Sequence, residues 1–478
     1  MQKGLSFREI IMEQQTKQRE KFGSRLGFLL ISAGCAIGLG NVYRFPIITG
    51  AYGGAFFVLI YIVFLLMLGI PVMTAELSVG RASQKSIATS FDTLEKPGQK
   101  WHLMKYLGIG GNYLLMMFYT CISGWMSIYF FKYLTGAMET VGTTPEALGQ
   151  AFGGMISNTG LMIGVTLAVI VVCFGICSLG LQKGVERITK VMMVALFVLL
   201  LGLAIYSLTL PGAGEGLKFY FVPSVERMQE AGVFTVITAA MGQAFFTLSI
   251  GIGSIAIFGS YIGKDRRLLG ESAVIVGLDT SVALMSGLIV FPACFTYNGG
   301  ITADPNTVGA SFLFTTLSSI FNNMNGGRII GTLFFLFMIF ASLSTVIAVF
   351  ENIMSFWIEK TKLKRWQIAL INIGIVSVLS LPAVLSLNVW ADVKILGMGF
   401  LDFEDFAVSN ILLPLGSLVY VVFCTSRFGW GWDNYHKEVN IGDKGPKVPK
   451  WIRIYMTYVL PLIILALMII SNVVKFIG

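Results

Sequence analysis

Ala33-Gly34-Cys35-Ala36-Ile37-Gly38-Leu39-Gly40-Asn41-Val42-Tyr43-Arg44-Phe45-Pro46 lies inside a hydrophobic run long enough to cross a membrane, yet it holds three glycines, an asparagine, an arginine and a proline. Glycine weakens a helix and proline breaks one. Backbone released from a helix inside a bilayer finds no water, so it survives only where it is packed in protein or lines a cavity. The stretch therefore predicts a helix broken at membrane depth, with carbonyl groups turned toward something they can bind.

The surrounding composition agrees. The chain has 478 residues, 55% of them hydrophobic and 12% charged, with mean hydropathy +0.78. Soluble domains carry about 25% charged residues. The predicted class is an all-α integral membrane protein. Apolar runs of spanning length fall at 26–48, 54–80, 106–135, 160–180, 188–210, 235–262, 271–297, 329–358, 367–386, 399–424 and 452–474, about eleven transmembrane helices. Met1–Lys21 is polar, with no apolar core of a cleavable signal. Of 34 Lys and Arg, 27 fall on the N-terminal segment and every second loop, six on the alternate loops, and Arg44 inside a span. That alternation places the N-terminus in the cytoplasm and, with an odd span count, the C-terminus outside. It also accounts for the net charge of +9, so nucleic acid is not expected. The site expected is a multi-pass protein of the cell membrane, with lipid around it. The loop 425–451 reads as a plain cytoplasmic connector whose tryptophans suit the membrane surface.

The six cysteines form no CxxC pair, and His102 and His436 both lie in predicted loops. A disulfide framework, a histidine metal centre or a catalytic triad has little to build on, so no enzyme is expected. There is no Walker glycine loop for ATP.

The first span has an echo in the sixth, Phe246-Thr247-Leu248-Ser249-Ile250-Gly251-Ile252-Gly253. Two interrupted helices five spans apart point to an inverted-repeat transporter with its site at the midplane. Helix packing through small residues is the plainer alternative. Charges inside spans are costly and so are functional candidates. Glu76, Asp279 and Arg44 are such charges, and Asp402, Glu404 and Asp405 open the tenth span. Arg44 with one of these acids reads equally as a gate or as a static ion pair. The oxygens of Asn41, Thr247, Asp279, Ser344 and Thr345 suit a hard cation such as Na+, which points to an ion gradient as the energy source.

Gly34 to Pro46, followed by Gly53-Gly54-Ala55-Phe56 and by Gly69-Ile70-Pro71, Glu76 and Gly80-Arg81, resembles the neurotransmitter:sodium symporter family, particularly its bacterial amino-acid transporters. The resemblance covers nearly the whole chain. It implies two inverted five-helix repeats with discontinuous helices 1 and 6: repeat one about 25–210, repeat two about 235–424, and an extra helix about 452–474, all in one transporter domain over 1–478. The broken-helix geometry is itself a known example of such carriers.

Residue by residue, the resemblance implies one Na+ at the carbonyl of Ala36, the side chains of Asn41, Thr247 and Asp279, and the substrate carboxylate. A second Na+ would take carbonyls of Gly34, Ile37 and Ala341 with hydroxyls of Ser344 and Thr345. The substrate site would comprise Cys35, Ala36, Gly38, Gly40, Leu115, Tyr119, Ile122, Phe246, Thr247, Ser249, Ile252, Thr345 and Val349, with Tyr119 contacting the carboxylate. Arg44 and Asp405 would form an outer gate, Arg19 and Glu359 an inner one, with Phe22 in place of the usual tryptophan. Glycine at position 38, where monoamine carriers have an acid, favours an amino acid. Asp279 stands where many members have asparagine. Chloride-dependent relatives bind the anion near the positions of Tyr61, Gln243 and Thr247, so a fixed carboxylate there implies chloride independence. Gly184 is followed ten residues later by Val194 rather than proline, which leaves an unwinding of the fifth helix without its usual signature. The mostly apolar pocket points to a neutral hydrophobic or aromatic amino acid. A related small zwitterion, an ion channel, a membrane enzyme and a receptor-like member that binds without transport are the alternatives; Na+-driven uptake separates them.

Overall fold

The structure, a computed structural model, describes residues 22–300 and 313–477. These residues are helical, with no strand among them. The first span consists of α1 (Arg25–Ala36) and α2 (Gly40–Ala51), bent by 56° at the break. There follow α3 (Ala55–Ser83), α4 (Trp101–Leu134), α5 (Thr159–Ser178) and α6 (Leu181–Leu208). The sixth span is α7 (Val233–Leu248) and, after a short break, α8 (Ser254–Gly259). The rest are α9 (Leu268–Asn298), α10 (Gly327–Lys360), α11 (Arg365–Leu385) and α12 (Phe400–Thr425), the short α13 (Trp432–Val439), and α14 (Ile452–Val473). Among the described residues, nine single helices are long and apolar enough to cross a membrane, and the bent pair counted as one span makes a tenth. Neither α7 nor α8 is long enough alone, which is why the sixth expected run, 235–262, is found only as a broken span.

The local causes of both breaks are visible. The Ser24 side chain caps α1 by accepting from the Gly27 N–H at 3.0 Å. Ile37 then leaves the helix with extended backbone. Gly38 admits no side chain: a Cβ there would stand 2.3 Å from the Tyr119 hydroxyl and 2.7 Å from Thr345 Oγ1. In the sixth span, Ser249 is left-handed at φ 50° and Gly251 and Gly253 have φ 104° and 83°, conformations open mainly to glycine.

Small residues let the core helices cross closely, as they do in membranes. A Cβ on Gly80 would lie 1.9 Å from the Ala256 carbonyl oxygen, and one on Gly416 would lie 1.9 Å from that of Gly251. Thus α3 and α12 clasp the broken sixth span from two sides. Valine, leucine and isoleucine side chains on the outer faces of α6, α11 and α14 are exposed, as lipid-facing surfaces should be.

The segment 425–451 is not a plain connector. Its α13 packs against the bundle with Trp432 and Tyr435 buried. The fully buried Arg81 pairs with Glu438 at 2.7 Å, donates to the Glu438 carbonyl, and donates to the Arg266 carbonyl at 2.6 Å. The tryptophan read as a surface anchor is, at position 432, part of this packing; Trp430 is only half-buried.

Candidate functional site

The two breaks lie side by side, and side chains from α2, α3, α4, α7, α9 and α10 converge on them. Asn41 donates to Asp279 Oδ1 at 2.7 Å and to the Asp279 carbonyl at 3.1 Å. Its own amide oxygen accepts from the Gly38 N–H at 3.1 Å. Thr247 donates to Asp279 Oδ2 at 3.1 Å. All three side chains are buried. Three of the four groups expected around one Na+ are therefore joined in one network, and Ala36 lines the adjoining cavity.

The second expected cluster is equally compact. Thr345 Oγ1 lies 3.1 Å from the Gly34 carbonyl, 3.3 Å from that of Ile37 and 3.4 Å from that of Ala341. Ser344 donates to the Ala341 carbonyl at 3.0 Å. The bond within α10 is the ordinary local habit of such hydroxyls. The bonds to Gly34 and Ile37 are not local; they tie α10 to the break in the first span.

Between the clusters is a small cavity of about 20 Å³, room for roughly one water. It is lined by Ala36, Gly38, Gly40, Leu115, Tyr119, Phe246, Ser249, Thr345 and Leu413. The expected residues Cys35, Ile122, Thr247, Ile252 and Val349 are buried but do not line it. Leu413 was not expected, and nothing in its own stretch of α12 marks it. The Tyr119 hydroxyl accepts from the Leu39 N–H at 3.0 Å, which fixes the ring beneath the first break.

The sixth break is held differently. The buried Glu76 carboxylate accepts from the N–H groups of Gly251, Ile255 and Ala256 at 2.7, 3.1 and 3.3 Å. Asn112 donates to the Ile252 carbonyl at 2.8 Å and accepts from Ser254 at 3.1 Å. Glu76 stood out in the sequence as a charge in a span, but its role in stabilising freed backbone was not legible there.

Of the expected gate pairs, Arg44 and Asp405 do not form an ion pair. Arg44 lies over the Phe246 ring at 4.4 Å, and Asp405 accepts from Ser409 at 2.8 Å. Arg19 lies outside the described residues. Glu359 accepts from the Ser86 N–H and the Thr89 hydroxyl, both at 2.7 Å. Phe22 packs against Phe28, Phe258 and Tyr261 with centroids 5.7, 6.3 and 5.6 Å apart. The start of α1 has two further anchors that sequence reading missed. Gly23 N–H donates to Glu186 at 2.8 Å, and Arg25 pairs with Glu271 at 3.1 Å. Near the expected chloride region, Gln243 donates to the Gly40 carbonyl at 2.8 Å.

Two broken spans whose freed carbonyls and side-chain oxygens meet inside a bundle of apolar helices have the pattern of a secondary transporter. The comparisons make the class specific: the sodium:neurotransmitter symporter family model matches residues 19–142 and 150–477, and the chain belongs to that family. It is 32% identical over 403 residues to a sodium-dependent transporter of Bacillus subtilis, YhdH, covering 84% of this chain and 87% of the relative. It is 31% identical over 470 residues to a sodium-dependent transporter of Haemophilus influenzae, covering 96% and 99%. Among solved structures it is similar to MhsT in complex with L-phenylalanine, with TM-score 0.82, 36% identity and coverage of 94% of this chain and 99% of that one. The fold expectation, all-helical with discontinuous first and sixth spans, holds.

Proposed function

We propose that the protein couples the inward movement of Na+ to import of a neutral, hydrophobic or aromatic amino acid by alternating access. The observation that carries this reading is the meeting of both oxygen clusters at the two breaks. Asn41, Thr247 and Asp279 would hold one Na+ with the Ala36 carbonyl and the substrate carboxylate. Ser344 and Thr345 would hold a second with the carbonyls of Gly34, Ile37 and Ala341. The shared carboxylate explains coupling. Without substrate the first ion lacks a ligand, and without the ion the buried carboxylate lacks a counter-charge. The second ion would bridge α1 to α10 and keep the cytoplasmic side shut; its departure would free α1.

The carboxylate would sit at Gly38 and Tyr119, and the side chain among Leu115, Phe246, Ser249 and Leu413. That lining is largely apolar, and the relative MhsT was solved with L-phenylalanine. The fixed acid at Asp279 makes chloride unnecessary in this reading. Arg44 and Asp405 serve as the outer gate, bridged in one state and parted in another, with Arg19 and Glu359 on the inner side. The N-terminus faces the cytoplasm and the C-terminus the outside, following the Lys and Arg alternation. The two repeats form one domain.

The deciding experiment is uptake of each of the twenty amino acids into proteoliposomes containing the full chain. Na+ is replaced by K+, and separately Cl− by gluconate. The expected result is accumulation of one or a few apolar amino acids that requires Na+ and ignores the anion. Uptake indifferent to Na+ removes the coupling; uptake needing Cl− removes the role given to Asp279.

A further inference from the structure

A second cavity lies away from the transport site. A groove of about 590 Å³ runs between α6 and α10, floored by Val191, Val194 and Val198 and flanked by Leu336 and Phe340, with Lys190 at one end. All three valines are exposed. Arg187 precedes Val191 by four residues and so lies one turn below it on the same stripe. It is exposed and forms no ion pair among the described residues. Lys183 is also exposed. Lys190, by contrast, is partly compensated by Glu186 at 3.8 Å.

We propose that this groove binds one anionic phospholipid, with an acyl chain along the valine floor and its phosphate at Arg187 and Lys190. The dimensions suit it. From Arg187 to Leu199 the helix rises about 18 Å, close to the roughly 15 Å depth of one leaflet's hydrocarbon. The chemistry suits it too: an apolar trough that ends in cationic side chains at the membrane surface attracts anionic headgroups. A second copy of this chain is disfavoured. A two-fold interface would bring two identical cationic ends together. The groove is not incidental to the rest of the molecule. Its wall, α6, turns its opposite face to the first break, where a Cβ on Gly34 would meet Met193 at 3.1 Å and Thr189 at 3.2 Å.

The test is native mass spectrometry of the full chain, delipidated in detergent and offered phosphatidylglycerol and phosphatidylcholine in equal amounts. The readout does not depend on transport, so it stands or falls separately from the function proposed above. The wild type should retain one phosphatidylglycerol in preference. Arg187→Gln should cut that preference about fivefold, the effect of one surface charge. Val194→Trp should fill the floor and abolish retention of both lipids, with an unchanged melting temperature confirming the fold. Equal retention of the two lipids by the wild type overturns the proposal. So does wild-type retention by either variant, and so does a dimer that Val194→Trp dissociates.

Discussion

The two broken spans solve the same problem in opposite ways. At the first break the freed groups that matter are carbonyls, those of Gly34 and Ile37, and a hydroxyl on α10 meets them. At the sixth break the freed groups are mainly N–H donors, and a buried carboxylate on α3 accepts three of them. One break thus gathers lone pairs, and the other gathers N–H donors around one buried acid. The cation sites proposed above draw their carbonyls from the first break, while the sixth is held by its bonds to Glu76. Thr247 and Asp279 extend the oxygen-rich side, so the symmetry of the two breaks in sequence hides an asymmetry in which backbone groups are freed and what meets them.

The comparison breaks most readily at the sixth span. Glu76→Ala leaves three buried donors without an acceptor, at about 1–3 kcal/mol each. The expected outcome is a protein that fails to purify as a monodisperse species or melts far below the wild type. Glu76→Gln, which keeps one acceptor oxygen, should recover part of the loss. A Glu76→Ala protein with wild-type melting would remove the distinction between the breaks.

Next in size is Thr345→Ala, which deletes the hydroxyl joining α10 to the first break. Uptake driven by Na+ should fall by roughly tenfold or more, the equivalent of about 1.4 kcal/mol or above, while the melting temperature stays near wild type. Normal uptake would show that the cluster holds no ion. Gly38→Ala places a methyl against Tyr119 and Thr345, an overpacking of about 1–3 kcal/mol. Substrate binding measured by scintillation proximity should weaken severalfold more than Na+ binding does. The smallest effect expected is Asp279→Asn. It should raise the Na+ concentration for half-maximal uptake a few-fold and make uptake respond to Cl−; a variant blind to both changes would detach the carboxylate from ion binding.

Much of this was legible in the chain itself. Span positions follow from apolar runs, and the breaks follow from glycines set among them. The oxygen-bearing side chains stood out in the spans, but their division into two clusters was legible only through family resemblance, because nothing local links Asn41 to Asp279 or Gly34 to Thr345. Contacts between distant positions with no special residue type stayed hidden. Leu413 in the cavity lining is one; the anchors from Glu186 and Glu271 to the start of α1 are others. Segment 425–451 was misread for the same reason. Its polar composition resembles any loop, and only its pairing with Arg81 reveals that it is packed.

That pairing also bears on how the protein is made. Arg81 and Glu438 are 357 residues apart. At synthesis rates of 5–20 residues per second, the arginine waits on the order of 20–70 s before its acid emerges from the ribosome. During that interval the foot of α3 must keep its guanidinium at the aqueous surface, and closure over Arg81 is among the last steps of assembly. Nascent chains arrested before Glu438 should therefore leave that residue open to arginine-directed reagents or proteases, and chains arrested beyond α14 should protect it.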